Sequence, residues 1–292
     1  MSKKVIVVTG ASSGFGKLTV LELARRGHTV IATMRDVEGR NSQVRSELIE
    51  AAKAEGATLQ VLEMDVSDDA SVSSAIEQVI AQYGKIDALI NNAGLMPIGV
   101  TEAYTTADVE KLFAVNVFGA IRTNRAVLPH MRAAGSGLVL QVTSLMGRFT
   151  MPFFGIYSAS KFAAEALAET YRYELSAFGV DSVIVEPGPF PSNLISSSPE
   201  PSDAGVVASY GDVAAIPGQI KANSDQSHDP ANPPQPQLVA DAIARLVEAT
   251  ERRPLRTVVM PDGMDFGVAA INEAVAPIQN GVLKAMGMEA MI

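Results

Sequence analysis

The stretch VIVVTGASSGFGK, residues 5–17, decides the fold. A short β-branched run predicts a strand, and it leads directly into a glycine-rich turn that opens a helical pattern. In a dinucleotide-binding turn, Gly10 permits the tight bend, Gly14 lets the backbone approach a pyrophosphate, and Gly16 lets the helix pack close to the strand. Such glycines can also be plain turn residues. Their place after a first strand and before a helix favours dinucleotide binding.

The alternation of strand and helix patterns continues along the chain. Strands are predicted at residues 5–9, 29–34, 59–64, 88–91, 138–143, 182–186 and 256–260. Helices are predicted at residues 17–26, 72–83, 109–132 and 158–178. Apolar strands that alternate with helices form a parallel sheet covered on both faces. We therefore expect a single α/β domain over residues 1–292, with a doubly wound Rossmann-type sheet of about seven strands.

The composition excludes several classes of protein. The 292 residues carry a net charge of −9 with only 23 basic side chains, so no nucleic-acid partner is expected. Cysteine is absent, which excludes disulfides and thiolate sites, and the three histidines show no ligand spacing, so we expect no metal. The apolar run at the N-terminus is too short for a signal or a membrane span. We therefore expect a cytoplasmic protein without a membrane partner.

Two segments depart from the alternating pattern. Residues 192–236 contain seven prolines and little periodicity, and they are too many for an ordinary connection within a compact domain. This stretch could be a disordered insertion, but its place after the sixth strand favours a substrate-binding lid at the edge where ligands bind. Residues 265–292 form a C-terminal extension with an amphipathic segment, which could pack on the same chain or on another copy.

The stretch FFGIYSASKFAAEAL, residues 153–167, carries a phenol and an ammonium on one face of a predicted helix. A phenol has a pKa near ~10, and a nearby cation such as that of Lys161 would lower the pKa of Tyr157 towards an acid–base role. Ser144, at the end of the fifth predicted strand, could donate to the carbonyl oxygen that Tyr157 protonates; Thr143 is the alternative. The pair could also be a chance surface pattern, but its place after that strand favours catalysis.

Together these motifs resemble the short-chain dehydrogenase/reductase family from residue 4 to about residue 260. The glycine pattern is the variant G-x-x-x-G-x-G, MDVSD follows the third strand, NNAG ends the fourth, and FAVNVFGA precedes the fifth. The similarity is closest to the branch of carbonyl, hydroxysteroid and retinol reductases, where TMRD and YRYEL are typical. The resemblance implies an oxidoreductase that assembles as a homodimer or homotetramer through helices 109–132 and 158–178.

The resemblance also implies the site residues. The catalytic set is Asn116, Ser144, Tyr157 and Lys161, in which a local kink frees the Asn116 carbonyl to hold a water that links Lys161 to solvent. Asparagine is unfavourable within a helix, so we predict a bend at Asn116. Residues implied to contact the dinucleotide are Gly10, Ser12, Ser13, Gly14, Phe15, Gly16, Arg35, Asp65, Val66, Asn92, Ala93, Gly94, Tyr157, Lys161, Pro187, Gly188, Phe190 and Ser192. Ser192 stands where the family has a threonine that binds the carboxamide.

The end of the second strand bears on the choice between NADP and NAD. An acid there would accept from a ribose 2′-hydroxyl, whereas a guanidinium would pair with a 2′-phosphate. In the family, the acid of NAD users falls at about Met34, so the presence of Arg35 favours NADP. Asp36 could instead rotate in as the acid, and Arg35 could be a solvated surface residue.

Several apolar side chains are expected to border the substrate: Met96, Leu145, Met146, Phe149 and Phe154, with Phe153 and Phe190 nearby. They suit an uncharged ketone or aldehyde, although each could belong to the core. Arg148 is close enough in sequence to be considered as a substrate contact. Three functions stay open: an NADPH-dependent carbonyl reductase, an NAD-dependent alcohol or hydroxysteroid dehydrogenase, and a dinucleotide sensor without catalysis.

Overall fold

The seven predicted strands are present and form one parallel sheet in the computed structural model, which describes residues 3–191, 193–223 and 233–292. The strands are β1 Val5–Val8, β2 Thr29–Met34, β3 Thr58–Glu63, β4 Ala88–Asn91, β5 Gly137–Val142, β6 Val180–Pro187 and β7 Arg256–Val259. Their order is β3-β2-β1-β4-β5-β6-β7, with every neighbouring pair parallel. The order reverses between β1 and β4, which is where an open α/β sheet places its ligand crevice.

The helices of the described residues cover both faces of the sheet. They are α1 Gly14–Arg25, α2 Ser42–Ala54, α3 Asp69–Tyr83, α4 Thr106–Asn116, α5 Phe118–Ala134, α6 Gly155–Glu174, α7 Asn193–Ser196, α8 Ala204–Ser209, α9 Ile216–Asn223, α10 Gln237–Glu248 and α11 Val268–Ala285. Ile6 and Val8 of β1 pack in the cluster that includes α1, α2 and α10. Val5 and Val7, which point the other way, pack with α3 and α5. The central strands β1, β2 and β4 are buried along their whole length, whereas the edge strands β3 and β7 are partly exposed.

The helix predicted at residues 109–132 is divided into α4 and α5, which confirms the bend expected at Asn116. Helix α4 ends at Asn116, and Val117, with φ −116° and ψ −61°, separates it from α5. Close packing follows the break, because a Cβ on Gly119 would lie 2.9 Å from Cγ2 of Val66. The assembly predicted through this region and α6 stays a prediction.

Much of the segment predicted as a lid is helical where it is described. Helices α7, α8 and α9 have only four to eight residues each, too few to give a clear period in the sequence. The segment lies against the connection between β4 and α4: Ile98 N donates to Ser198 Oγ (2.9 Å), Tyr104 Oη to the Pro199 carbonyl (3.1 Å), and Ser202 Oγ to Asp108 (2.6 Å). In the C-terminal extension, α11 follows β7. No helix in the described part of the chain is long and apolar enough to cross a membrane.

Candidate active site

A cavity of about 780 Å³ opens along the carboxyl edge of the sheet. The loops that follow six neighbouring strands, β1 to β6, all contribute to its lining. Of the residues predicted to contact a dinucleotide, the following line it: Gly10, Ser12, Ser13, Gly14, Phe15, Arg35, Asp65, Val66, Asn92, Ala93, Gly94, Tyr157, Lys161, Pro187, Gly188 and Phe190. Gly16 lies behind the first loop rather than in the lining, and Ser192 lies outside the described residues.

The glycine-rich loop is locked to the loop after β4 by backbone contact. Gly10 has φ +65°, and a Cβ there would lie 2.7 Å from Cα of Ala93. The Asn92 amide donates to the carbonyls of Thr9 (2.9 Å) and Gly10 (3.1 Å). A Cβ on Gly16 would lie 2.3 Å from the Gly10 carbonyl oxygen, so this glycine is needed for close helix packing, as predicted.

The start of α1 fits an anionic group. Gly14 has φ +53°, and a Cβ there would meet nothing within 4 Å, so the cavity is open beside it. The N-cap residue Ser13 makes no side-chain hydrogen bond to the helix, and the first turn of α1 carries no acidic residue. Free amide groups at a helix N-terminus bind phosphate, so the loop can cradle a pyrophosphate.

Two arginines that follow β2 line the cavity. Arg35 lines it, about half exposed, with Nη1 3.8 Å from a carboxylate oxygen of Asp65. Burial raises the pKa of Asp65, but two hydrogen bonds from Ser67 outweigh it and hold the pKa low. Arg40 also lines the cavity and was not predicted. Asp36 does not line it, because its carboxylate turns back to accept from the Arg40 amide (3.1 Å).

Tyr157 and Lys161 lie one turn apart on α6, only 4% and 6% exposed. The Lys161 ammonium lies 5.7 Å from the centre of the Tyr157 ring and donates to the Val142 carbonyl (3.2 Å). Burial raises the pKa of Tyr157 to about 12, with a hydrogen bond from Ser144 acting in the opposite direction. Burial lowers the pKa of Lys161 to about 8, against the charge of Glu165. The expected lowering of the phenol pKa by Lys161 is therefore not found, since desolvation dominates.

Of the two candidate hydroxyls, that of Ser144 faces Tyr157. The Ser144 hydroxyl also accepts from the Met146 amide (3.1 Å), which fixes it at the start of the short 3₁₀ turn Leu145–Gly147. The single proton of the Thr143 hydroxyl has two acceptors within reach, the Glu165 carboxylate (3.0 Å) and the Val185 carbonyl (3.2 Å). Both residues line the cavity, and the two hydroxyls differ in their partners.

Asn116 holds the site together from outside the lining. Its amide donates to the Leu95 carbonyl (2.9 Å) and to the Ser160 hydroxyl (3.0 Å), and its oxygen accepts from the Leu95 amide (2.8 Å). These bonds tie the loop after β4 to α6, next to Lys161. A Cβ on Gly94 would lie 3.5 Å from the Asn116 oxygen and 3.7 Å from the Lys161 nitrogen, so all three positions are adjacent.

Much of the remaining lining is apolar. All five predicted substrate residues line the cavity: Met96, Leu145, Met146, Phe149 and Phe154. Phe153 does not, because it packs beside them with its carbonyl bound to the Gly99 amide (2.9 Å). Phe190 lines the cavity and meets Phe15 edge to face, with ring centres 5.9 Å apart. Arg148 turns away towards Glu165, at 3.8 Å, and is not a substrate contact.

Sequence reasoning missed apolar lining residues that lie outside the alternating strand and helix pattern. These are Met151 before α6, Leu194, Ile195 and Ile220 in the inserted segment, and Phe266 in the C-terminal extension. Each is a single apolar residue outside any motif, so no local signal distinguishes it from the core.

Comparison with known proteins places the chain. The family model described as short chain dehydrogenase matches residues 4–202. A 3-ketodihydrosphingosine reductase of Bacteroides thetaiotaomicron is 33% identical over 261 residues, covering 89% of each chain. Human 17-beta-hydroxysteroid dehydrogenase type 1 is 38% identical over 195 residues, covering 65% of this chain and 57% of that protein. The structure of an alcohol dehydrogenase from Thermococcus sibiricus complexed with 5-hydroxy-NADP superposes with a TM-score of 0.72 and 25% identity, covering 90% of this chain and 99% of that chain.

The fold and the site define a nicotinamide-dependent oxidoreductase that acts on alcohol or carbonyl groups. The chain belongs to the short-chain dehydrogenase family.

Proposed function

We propose that the chain is an NADPH-dependent reductase of apolar ketones or aldehydes. One observation carries this proposal: a single cavity holds Tyr157 and Ser144 between a phosphate-binding loop and an apolar lining. A carbonyl compound bound in the apolar half would therefore meet a buried phenol and a hydroxyl next to the nicotinamide.

Each residue of the proposed catalytic set has its own role in carbonyl reduction. A phenol whose pKa is raised to about 12 is protonated at neutral pH, which suits Tyr157 as the acid that donates to the carbonyl oxygen. The Ser144 hydroxyl can donate to the same oxygen as charge develops there. The Lys161 ammonium would stabilise the phenolate that remains, and Asn116 would anchor the proton relay. When bound, the reduced nicotinamide supplies the hydride for the carbonyl carbon.

Two arginines support a preference for NADPH. Arg35 and Arg40 both line the cavity at the end of β2, where the 2′-substituent of the ribose is expected. Asp36, which could otherwise rotate in as the acid for a 2′-hydroxyl, accepts from the Arg40 amide. Guanidinium groups pair with a 2′-phosphate, which NADPH has and NADH lacks.

The lining supports an uncharged substrate. Among the described lining residues, the charged ones are Arg35, Arg40, Asp65 and Lys161, which belong to the cofactor side and the catalytic group. The inserted segment contributes Leu194, Ile195 and Ile220, consistent with its proposed role as the cover of the substrate. Two relatives are named for 3-ketodihydrosphingosine, a long-chain ketone, and for a hydroxysteroid, an alcohol, and both compounds have a large apolar body.

The first experiment is a comparison of NADPH and NADH oxidation with long-chain, aromatic and steroid ketones, followed by the absorbance of the reduced nicotinamide. We expect turnover of at least one ketone with clear preference for NADPH. The Tyr157→Phe variant should still bind NADPH, while turnover falls by about two to four orders of magnitude, the usual contribution of a general acid. Unchanged turnover in this variant would exclude Tyr157 as the acid, and binding without turnover in the native chain would favour a sensor.

A further inference from the structure

A group of charged side chains, two of them buried and three partly buried, lies behind the turn that carries Ser144. It consists of Glu165 and Glu169 on α6, Glu186 on β6, Arg256 on β7 and Arg148 after the turn, and none of these lines the cavity. The proposed reaction uses none of them. Buried charges are costly, so a set of five next to a catalytic turn calls for a function.

Glu165 is the member that touches the catalytic turn. It is 2% exposed, and its carboxylate accepts from the Thr143 hydroxyl, the residue just before Ser144, at 3.0 Å. A Cβ on Gly147 would lie 2.4 Å from the same carboxylate oxygen, so the turn packs directly on Glu165. The carboxylate therefore supports both ends of the segment that presents the Ser144 hydroxyl.

Glu165 is also one helical turn from Lys161, on the same face of α6. Both side chains are buried, where charges interact strongly. Burial lowers the pKa of Lys161, and the negative charge of Glu165 acts against that lowering. The pKa of Lys161 thus depends on the charge of Glu165, which does not line the cavity.

We propose that Glu165 is a positioning residue for the reaction, which holds the Ser144 turn in place and keeps Lys161 charged. This inference rests on the proposed function, because it assigns Glu165 to the same site.

Burial raises the pKa of the Glu165 carboxyl, and the charges of Arg256 and Arg148, with hydrogen bonds from Thr143 and Arg256, act against that rise. The carboxyl faces two guanidinium groups, Arg256 at 3.2 Å and Arg148 at 3.8 Å. Glu186 is fully buried, with Arg256 at 3.5 Å and the neutral Asn272 amide of α11 at 2.7 Å. Burial and the neighbouring Glu165 raise the pKa of Glu186 to about 8, so Glu186 is the more readily protonated carboxyl of this pair.

The deciding measurement is the titration of Lys161 in the full chain without cofactor. Lysine isotope-labelled at the ε-carbon is followed by NMR, and the Lys161 signal is assigned from the Lys161→Arg variant. In the Glu165→Gln variant we expect the proton affinity of Lys161 to fall about tenfold or more, because the negative charge one helical turn away is removed. An unchanged titration would overturn the proposal, whatever the result of the ketone assay.

Glu169→Gln is the matched control. Glu169 binds the same Arg256, at 2.7 Å, but lies one turn further from Lys161 and does not contact Thr143 in the described structure. We expect this variant to leave the Lys161 titration within about twofold of the native value. Equal shifts in both variants would mean that loss of the Arg256 ion pair, rather than the charge of Glu165, controls Lys161.

The support of Ser144 is tested separately with Thr143→Val, which removes the hydroxyl at nearly constant volume. Because Glu165 keeps its charge, the Lys161 titration should stay as in the native chain. We expect kcat with the best ketone to fall several-fold while KM changes less, since Ser144 acts in the reaction step. Unchanged kcat would remove this part of the proposal. This variant also tests the proposal if Glu165→Gln does not fold, as judged by thermal unfolding.

Discussion

The two halves of the cavity are built in different ways. The dinucleotide half is held by backbone contacts, such as the close approach of Gly10 to Ala93 and the Asn92 amide bonds to two carbonyls. The apolar half is lined by side chains from separate segments, among them Phe149, Ile220 and Phe266. Backbone contact restricts the residue type at a position, whereas an apolar lining accepts many side chains. Substitutions in the dinucleotide half should therefore cause large losses of stability and binding, whereas substitutions in the apolar half should cause small ones.

The largest effect is expected for Gly10→Ala. The new Cβ would lie 2.7 Å from Cα of Ala93, in a left-handed backbone conformation. The strain of about 1–2 kcal/mol and an overpacking cost of about 1–3 kcal/mol should together lower the free energy of unfolding by roughly 3 kcal/mol. Urea unfolding measures this loss, and NADPH binding should be lost with it.

Gly14→Ala is the control for this prediction. Gly14 has a similar φ of +53°, but its Cβ would meet nothing within 4 Å. We expect only the strain of about 1–2 kcal/mol, together with weaker NADPH binding, because the methyl group would occupy the phosphate cradle. Equal losses of stability in the two variants would show that contact with Ala93 is not what restricts Gly10.

The same contrast explains what the sequence could predict. The strand bounds were predicted to within two residues, because buried parallel strands are continuous apolar runs. The spacing of Ser144, Tyr157 and Lys161 and the family resemblance of Asn116 predicted four positions that lie next to one another in the structure, while their catalytic roles stay predictions. Arg40 and Phe266 were missed, since their approach to the cavity depends on loop paths that no local pattern records.

The protonation of Tyr157 and Lys161 could also not be predicted from the sequence. The spacing of Tyr157 and Lys161 predicted a cation that lowers the phenol pKa, whereas the structure has burial raising it to about 12. Desolvation depends on every element packed around a group, and the pKa of Lys161 depends also on the charge of Glu165, one helical turn away. The spacing of two residues in the sequence contains no information about this packing.

An intermediate effect is expected for Arg35→Ala, which tests the polar end of the dinucleotide half. Hydrogen bonds to a charged group contribute about 1.5–3 kcal/mol, so NADPH binding should weaken by roughly 10- to 100-fold while NADH binding changes little. Fluorescence titration with each cofactor measures the difference. Arg45→Ala is the control, because Arg45 pairs with Glu38 and does not line the cavity. Equal losses for both cofactors in Arg35→Ala would remove Arg35 from the 2′-phosphate.

The smallest effect is expected for Phe266→Ala, in the apolar half. Phe266 lines the cavity but is 53% exposed, so a substrate can bury only part of its surface. Full burial of such a side chain is worth about 1.5–3 kcal/mol, and half of that corresponds to a roughly 3- to 10-fold rise in KM for a large apolar ketone. A small ketone that does not reach Phe266 should keep its KM, and NADPH binding should not change.

Ile278→Ala is the matched control, because Ile278 is an exposed apolar residue of the same extension that does not line the cavity. If Phe266→Ala removed activity altogether, this position would be as restrictive as Gly10, and the contrast between the two halves would not hold.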